Sequence, residues 1–101
     1  MSGKNVEKRS LRMLIANAIG RHSKSDFKRL VRALGGKCVR CGRHESECRL
    51  DADHIIPVYQ YGSNGIENIQ PLCARCNTSK GPEGIDHRPS NWLSLYESVN
   101  P

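Results

Sequence analysis

The chain has 101 residues, 37% of them hydrophobic, with a single Trp and a single Phe. At that size an apolar core is marginal by itself, and a staple is expected. The formal charge of +6 hides an asymmetry: residues 1–43 carry 12 Lys/Arg against Glu7 and Asp26, a net of +10, whereas residues 44–101 carry 4 against 8 acids. A basic front joined to an acidic, Cys/His-bearing back suits a polyanion held by one part and processed by the other. No run approaches membrane-spanning length, and the most apolar stretch near the start, Leu14-Ile15-Ala16, is short and flanked by charge. Neither a secretory signal nor a membrane partner is expected, and five cysteines in a cytoplasmic chain point to metal rather than to disulfides.

In chain order, Val6 to Ile19 places Leu11, Leu14, Ile15, Ala18 and Ile19 at helical spacing, with Lys8, Arg9 and Arg12 on other faces and Gly20 as a stop. Ser25 reads as the N-cap of a second helix whose stripe is Phe27, Leu30, Val31 and Leu34, ended by Gly35-Gly36. Arg21, Lys24, Lys28, Arg29 and Arg32 lie along these helices, either as a solvated face or as phosphate contacts. Lys37 to Arg43 is a Cys-x-x-Cys knuckle in which Gly42 lets the backbone turn, and Glu45 to Cys48 is a polar loop. Arg49 to His54 alternates weakly into Ile55-Ile56, a short strand closed by Pro57. Gly62-Ser63-Asn64-Gly65 belongs to a loop in which Asn64 is a turn former, while Asn68 at its end can tie the two ends together through its side chain. Ile69 to Leu72 returns as a strand that Pro71 confines to an edge or end. Cys73 to Ser79 is a short helix stopped by Gly81-Pro82, and Ser90 is placed to cap a last helix carrying Trp92, Leu93, Tyr96 and Val99.

Cys38, Cys41, Cys73 and Cys76 form two Cys-x-x-Cys pairs, each offering two thiolates from one tight turn, and together they complete a closed, structural Cys₄ zinc site. A competing local set, Cys38, Cys41, His44 and Cys48, would leave Cys73 and Cys76 without a role; Cys48 is better read as a small semi-buried residue. Asp53 and His54 point to opposite faces if their strand is regular, so both serve one site only where the backbone twists or bulges. Asn77 and Lys80, three apart on a helix, share a face, and Asn77 follows Cys76 so that it can face the strand of His54.

These motifs, Cys-x-x-Cys, Asp-His-Ile-Ile-Pro-Val, Gly-Ser-Asn-Gly-Ile-Glu-Asn-Ile-Gln-Pro-Leu-Cys and Cys-Asn-Thr-Ser-Lys-Gly, resemble the HNH endonucleases of the ββα-metal (His-Me finger) group from Cys38 to about Gly81. The resemblance implies an intracellular, bacterial or phage-encoded nuclease in which His54 is the general base that deprotonates the attacking water. It implies that Asp53 binds the catalytic divalent ion, that Asn68 braces the loop, and that Asn77 takes the place of a second, ion-ligating His. The chain is therefore an H-N-N variant. An amide oxygen is a hard donor, which suits Mg²⁺ or Mn²⁺ as the catalytic ion better than Ni²⁺ or Zn²⁺. His87 is either a surface residue or a replacement ligand. Arg75 and Lys80 are expected at the phosphate, with Arg29 and Arg32 as further nucleic-acid contacts.

The expected fold is α+β: a small zinc-stapled, treble-clef-like ββα-metal finger, preceded by two amphipathic helices and followed by a short C-terminal helix. It forms one domain over residues 1–101, divided into a basic helical part (1–36), the zinc and ββα core (37–81) and a tail with its helix (82–101). The expected function is metal-dependent hydrolysis of phosphodiester bonds in double-stranded DNA. A monomer should nick, while double-strand cuts would need a homodimer or successive nicks. The alternative is a non-catalytic zinc module that binds nucleic acid, which has no need of Asp53-His54 ahead of a bracing Asn. A purely structural zinc domain leaves the +10 front unexplained.

Overall fold

A computed structural model describes residues 3–80 and 84–100, with only the backbone for residues 3–10. The helix stop expected at Gly81-Pro82, and the faces taken by Lys8 and Arg9, lie outside these residues. Two helices come first, α1 (Gly3–Ile19) and α2 (Lys24–Ala33), followed by strand β1 (Leu50–His54), single 3₁₀ turns at Val58–Gln60 and Ile66–Asn68, strand β2 (Ile69–Cys73), and helices α3 (Ala74–Ser79) and α4 (Trp92–Ser98). The mixed architecture around a small two-stranded sheet is the α+β finger expected from the motifs.

Helix α2 begins two residues earlier than its sequence suggested. Ser23, not Ser25, is the N-cap: its hydroxyl accepts from the Asp26 N–H at 3.0 Å and its own N–H donates to the Asp26 carboxylate at 2.8 Å. That reciprocal pair satisfies two donors at once, which a cap at Ser25 would not. The helix ends as expected, with Gly35 at φ +85°. Gly36 N–H donates to Val31 O at 2.8 Å and Gly35 N–H to Arg32 O at 3.1 Å, the pair of bonds that closes a helix through a left-handed residue. In α4 the N-cap position falls on Asn91 rather than Ser90, and no side chain caps it.

Strands β1 and β2 pair antiparallel, with Leu50 opposite Cys73, Asp53 opposite Gln70 and His54 opposite Ile69. Every residue of β2 is buried, because α2 and α4 cover one side and the cysteine knuckle the other. Pro71 has no N–H to give, but its carbonyl accepts from Val39 N–H at 3.1 Å and so stitches the knuckle to the sheet. Leu30, Leu34, Ile69 and Tyr96 form one buried cluster, and Cys38, Leu72, Cys73 and Cys76 a second.

Helix α1 exists where its periodicity put it, but its apolar stripe does not face the core. Leu11 is 58% exposed, Leu14 64% and Ile19 59%, while Ala16 is fully buried. The helix meets the body through its last turn: Ala16 O accepts from Asn64 N–H at 3.1 Å and from Gly20 N–H at 3.1 Å. Among the described residues no helix is long and apolar enough to cross a membrane.

Candidate active site and metal centre

The four cysteines of the two Cys-x-x-Cys pairs converge, with their sulfurs all within 4.8 Å of one another. Cys41 Sγ and Cys73 Sγ are 3.8 Å apart, close to the edge of about 3.8 Å that a tetrahedron with metal–sulfur bonds of about 2.3 Å requires. Burial raises the Cys38 thiol pKa, but backbone hydrogen bonds from Cys41, Cys73 and Arg40, with the Cys41 thiol, outweigh it and bring the value to about 6. Burial and then the neighbouring thiols push Cys76 up to about 12. Four sulfurs this crowded cannot all ionise without a cation among them, and a soft divalent cation is what such a donor set holds. The local alternative does not assemble. His44 Nδ1 is engaged by Ser46, with Ser46 Oγ at 2.9 Å and its N–H at 3.1 Å, and the Cys48 thiol donates to the His44 carbonyl at 3.5 Å.

Asp53 and His54 lie at the end of β1, where the strand stops. The ladder passes there from backbone to side chain: Ile55 N–H donates to Asn68 O at 2.9 Å, but Ile56 N–H donates to Asn68 Oδ1 at 2.9 Å. Asn68 Nδ2 closes the loop by donating to Ile56 O at 2.9 Å and to Ser63 O at 2.8 Å. This buried carboxamide joins the two ends of the loop, the geometry its position in the sequence suggested. Gly62 completes the packing, since a Cβ there would collide with the Ile56 carbonyl. Asp53 and His54 are both still paired with β2, yet together with Asn77 and Lys80 they line one open cavity of about 820 Å³, with Arg12 and Met13 of α1.

Asp53 is 5% exposed and its carboxylate is held from two sides. Lys80 Nζ stands 2.8 Å from Oδ1 and 3.0 Å from Oδ2, and also donates to the His54 carbonyl at 3.0 Å. Behind them Gln70, fully buried, donates from Nε2 to Asp53 Oδ2 at 3.0 Å and to Ile85 O at 3.0 Å, while its Oε1 accepts from His87 N–H at 2.9 Å. On the other side of the cavity His54 Nε2 lies 2.8 Å from Asn64 Oδ1.

Other expected contacts are placed elsewhere. Arg29 Nε donates to Tyr96 O at 3.0 Å with its guanidinium 4.3 Å from the Tyr96 ring centre, and Arg32 donates to Asn100 O at 3.0 Å. Arg29 thus satisfies a carbonyl in the last turn of α4, and Arg32 one two residues beyond the helix. Arg75 is exposed on α3, outside the set that lines the cavity. Lys80 lines it but spends its ammonium on Asp53. Three residues at or behind the cavity were not singled out from sequence: Arg12 was one of many helical cations, Asn64 looked like a turn former, and Gln70 carried no signal.

Residues 38–83, which carry the cysteine cluster and the Asp53, His54 and Asn77 wall of the cavity, match the family described as HNH endonuclease. The chain is also similar to the CRISPR-associated endonuclease Cas9 of Corynebacterium diphtheriae, 37% identical over an alignment of 68 residues, with 64% of this chain and 6% of that protein covered. The chain thus spans a small fraction of that relative's length.

Proposed function

We propose that this domain is a metal-dependent endonuclease that hydrolyses DNA phosphodiester bonds, with His54 as general base, one divalent ion at Asp53 and Asn77, and structural zinc in the Cys₄ site. The observation that carries this reading is the convergence of a carboxylate, an imidazole and a carboxamide on one open cavity. The donor set fits a hard ion: Asp53 and Asn77 both offer oxygen, and the Lys80 ammonium against the carboxylate marks that wall as a place for positive charge. Mg²⁺ or Mn²⁺ held there supplies charge stabilisation at the phosphate and at the leaving oxygen.

The remaining work falls to the chain. His54 takes a proton from a water molecule as the water oxygen bonds to phosphorus and the bond from phosphorus to the 3′-oxygen breaks. The 3′-oxygen takes a proton from solvent, which leaves 5′-phosphate and 3′-hydroxyl ends. Asn68 holds the loop that fixes where the His54 backbone lies. Arg12, on the α1 wall of the cavity, is placed to meet the nucleic-acid backbone in place of Arg29 and Arg32.

One observation favours the second reading, a zinc-stabilised module that binds nucleic acid without cutting it: Lys80 occupies both oxygens of Asp53. A supercoiled-plasmid assay with zinc-loaded protein separates the two. Nicking or linearisation in Mg²⁺ or Mn²⁺, abolished by excess EDTA and by His54→Ala, is the expected result. Salt-sensitive DNA binding by folded protein without cleavage in any ion would replace the nuclease by the binding module.

A further inference from the structure

Asn64 is anchored through all four of its polar groups. Its N–H donates to Ala16 O at 3.1 Å, its carbonyl accepts from His22 Nδ1 at 2.7 Å, and its Nδ2 donates to Asn17 Oδ1 at 2.8 Å. That leaves Oδ1, which lies 2.8 Å from His54 Nε2. Three of the four anchors come from α1 and the turn after it, outside residues 38–83 that match the nuclease family. A carboxamide has one accepting and one donating end. With its nitrogen committed to Asn17, it presents only an acceptor to His54, and an acceptor at 2.8 Å requires the proton on Nε2. Among the described residues nothing bonds Nδ1.

From this arrangement we infer that Asn64 is the positioning residue for His54: it holds the imidazole in the Nε2–H tautomer, leaves Nδ1 as the basic nitrogen, and is itself held by Asn17 and His22 of the N-terminal arm. The inference rests on the proposed role of His54 and deepens it. When His54 takes a proton on Nδ1 the ring becomes a donor at both nitrogens, and Asn64 Oδ1 still accepts from Nε2. The same carboxamide serves the ring before and after proton transfer, which its opposite end could not do. The basic front of the chain thereby completes the reacting site, besides any part it has in gripping DNA.

The test uses the whole 101-residue chain, zinc-loaded, with ¹⁵N-labelled histidine. In the parent, the His54 ring should show a proton on Nε2 that exchanges slowly with solvent, and an unprotonated Nδ1. Asn64→Ala should lose that protected proton and slow plasmid cleavage about 10²-fold, the scale on which a misplaced catalytic group costs rate, with DNA affinity unchanged. Asn64→Asp, which keeps the acceptor but gives up the donor to Asn17, should regain the Nε2 proton with the shorter lifetime of Asn17→Ala and recover part of the cleavage rate. Asn17→Ala leaves the loop intact and should shorten the lifetime of the protected proton, so misfolding of one variant does not decide the matter. A proton on Nδ1 in the parent, or a protected Nε2–H that survives Asn64→Ala, would overturn the inference. The proton signal is read without cleavage: a protected Nε2–H in a protein that cuts no DNA supports the hydrogen bond while removing the nuclease reading.

Discussion

Asp53 shows what a single side chain is asked to balance. Its carboxylate is buried, so its charge must be met nearby, and Lys80 meets it on the cavity side while Gln70 meets it from behind. An ion entering the cavity must share or take the oxygens that Lys80 holds. Lys80→Met removes the competitor and leaves a buried, unpaired carboxylate, which costs about 3–5 kcal/mol when one partner of such a pair is deleted. The variant should therefore melt well below the parent in zinc alone, yet gain more in melting temperature when Mn²⁺ is added, because the ion alone now answers the charge. An equal gain in both proteins would mean that ammonium and ion do not compete. Two asparagines of one loop illustrate the limit of reading residues singly. Asn68 was legible because its place at the loop's end lets it tie the loop ends together. Asn64 had an adequate explanation beside Gly65 as a turn former, and nothing local showed that Asn17 and His22 would be brought to it.

Among the elements, helix ends were read with mixed success, and for an identifiable reason. The Gly35-Gly36 stop was clear because a left-handed residue at a helix end favours glycine. The start of α2 was displaced by two residues because Ser23 and Ser25 both look like caps, and only the spacing from Ser23 to Asp26 allows reciprocal bonding. Ser23→Ala should lower unfolding stability by about 1 kcal/mol, whereas Ser25→Ala, inside the helix, should change it little. Chemical denaturation of the two variants checks this, and equal losses would return the cap to Ser25. The strand ended at His54 rather than running through Ile55-Ile56, since Asn68 takes over the ladder at that point. Asp53 and His54, the last two residues of that ladder, border one cavity. Arg29 and Arg32, chosen as phosphate contacts, instead bond carbonyls at Tyr96 and Asn100: the last carbonyls of α4 need donors, the chain just beyond it runs past α2, and α2 lies against the helix.

For the molecule as a whole, two joints hold distant parts of the chain together. The Leu30, Ile69 and Tyr96 cluster joins α2, β2 and α4, and the four cysteines join the knuckle at 38–41 to the end of β2 and to α3. The second joint lies directly behind the strand and helix that carry Asp53, His54 and Asn77. Zinc bound there contributes folding energy, because the unfolded chain has no preformed site. Stripping zinc with a chelator should unfold the hairpin–helix region, seen as lost helical circular dichroism and a lower melting temperature. Unchanged melting with zinc fully released would show that the site is not structural.

The sequence by itself determined the α+β class, the order of the elements, the Cys₄ set and the Asp-His pair with its bracing Asn, because each is written in local spacing: a period, a Cys-x-x-Cys turn, a motif of fixed length. Only the tertiary structure decided which cations face the cavity and which finish a helix, that Lys80 and Gln70 share Asp53, and that Asn64 connects His54 to α1. Those are hydrogen bonds between residues far apart in the chain, chosen by which buried polar groups are left needing partners once the elements have packed.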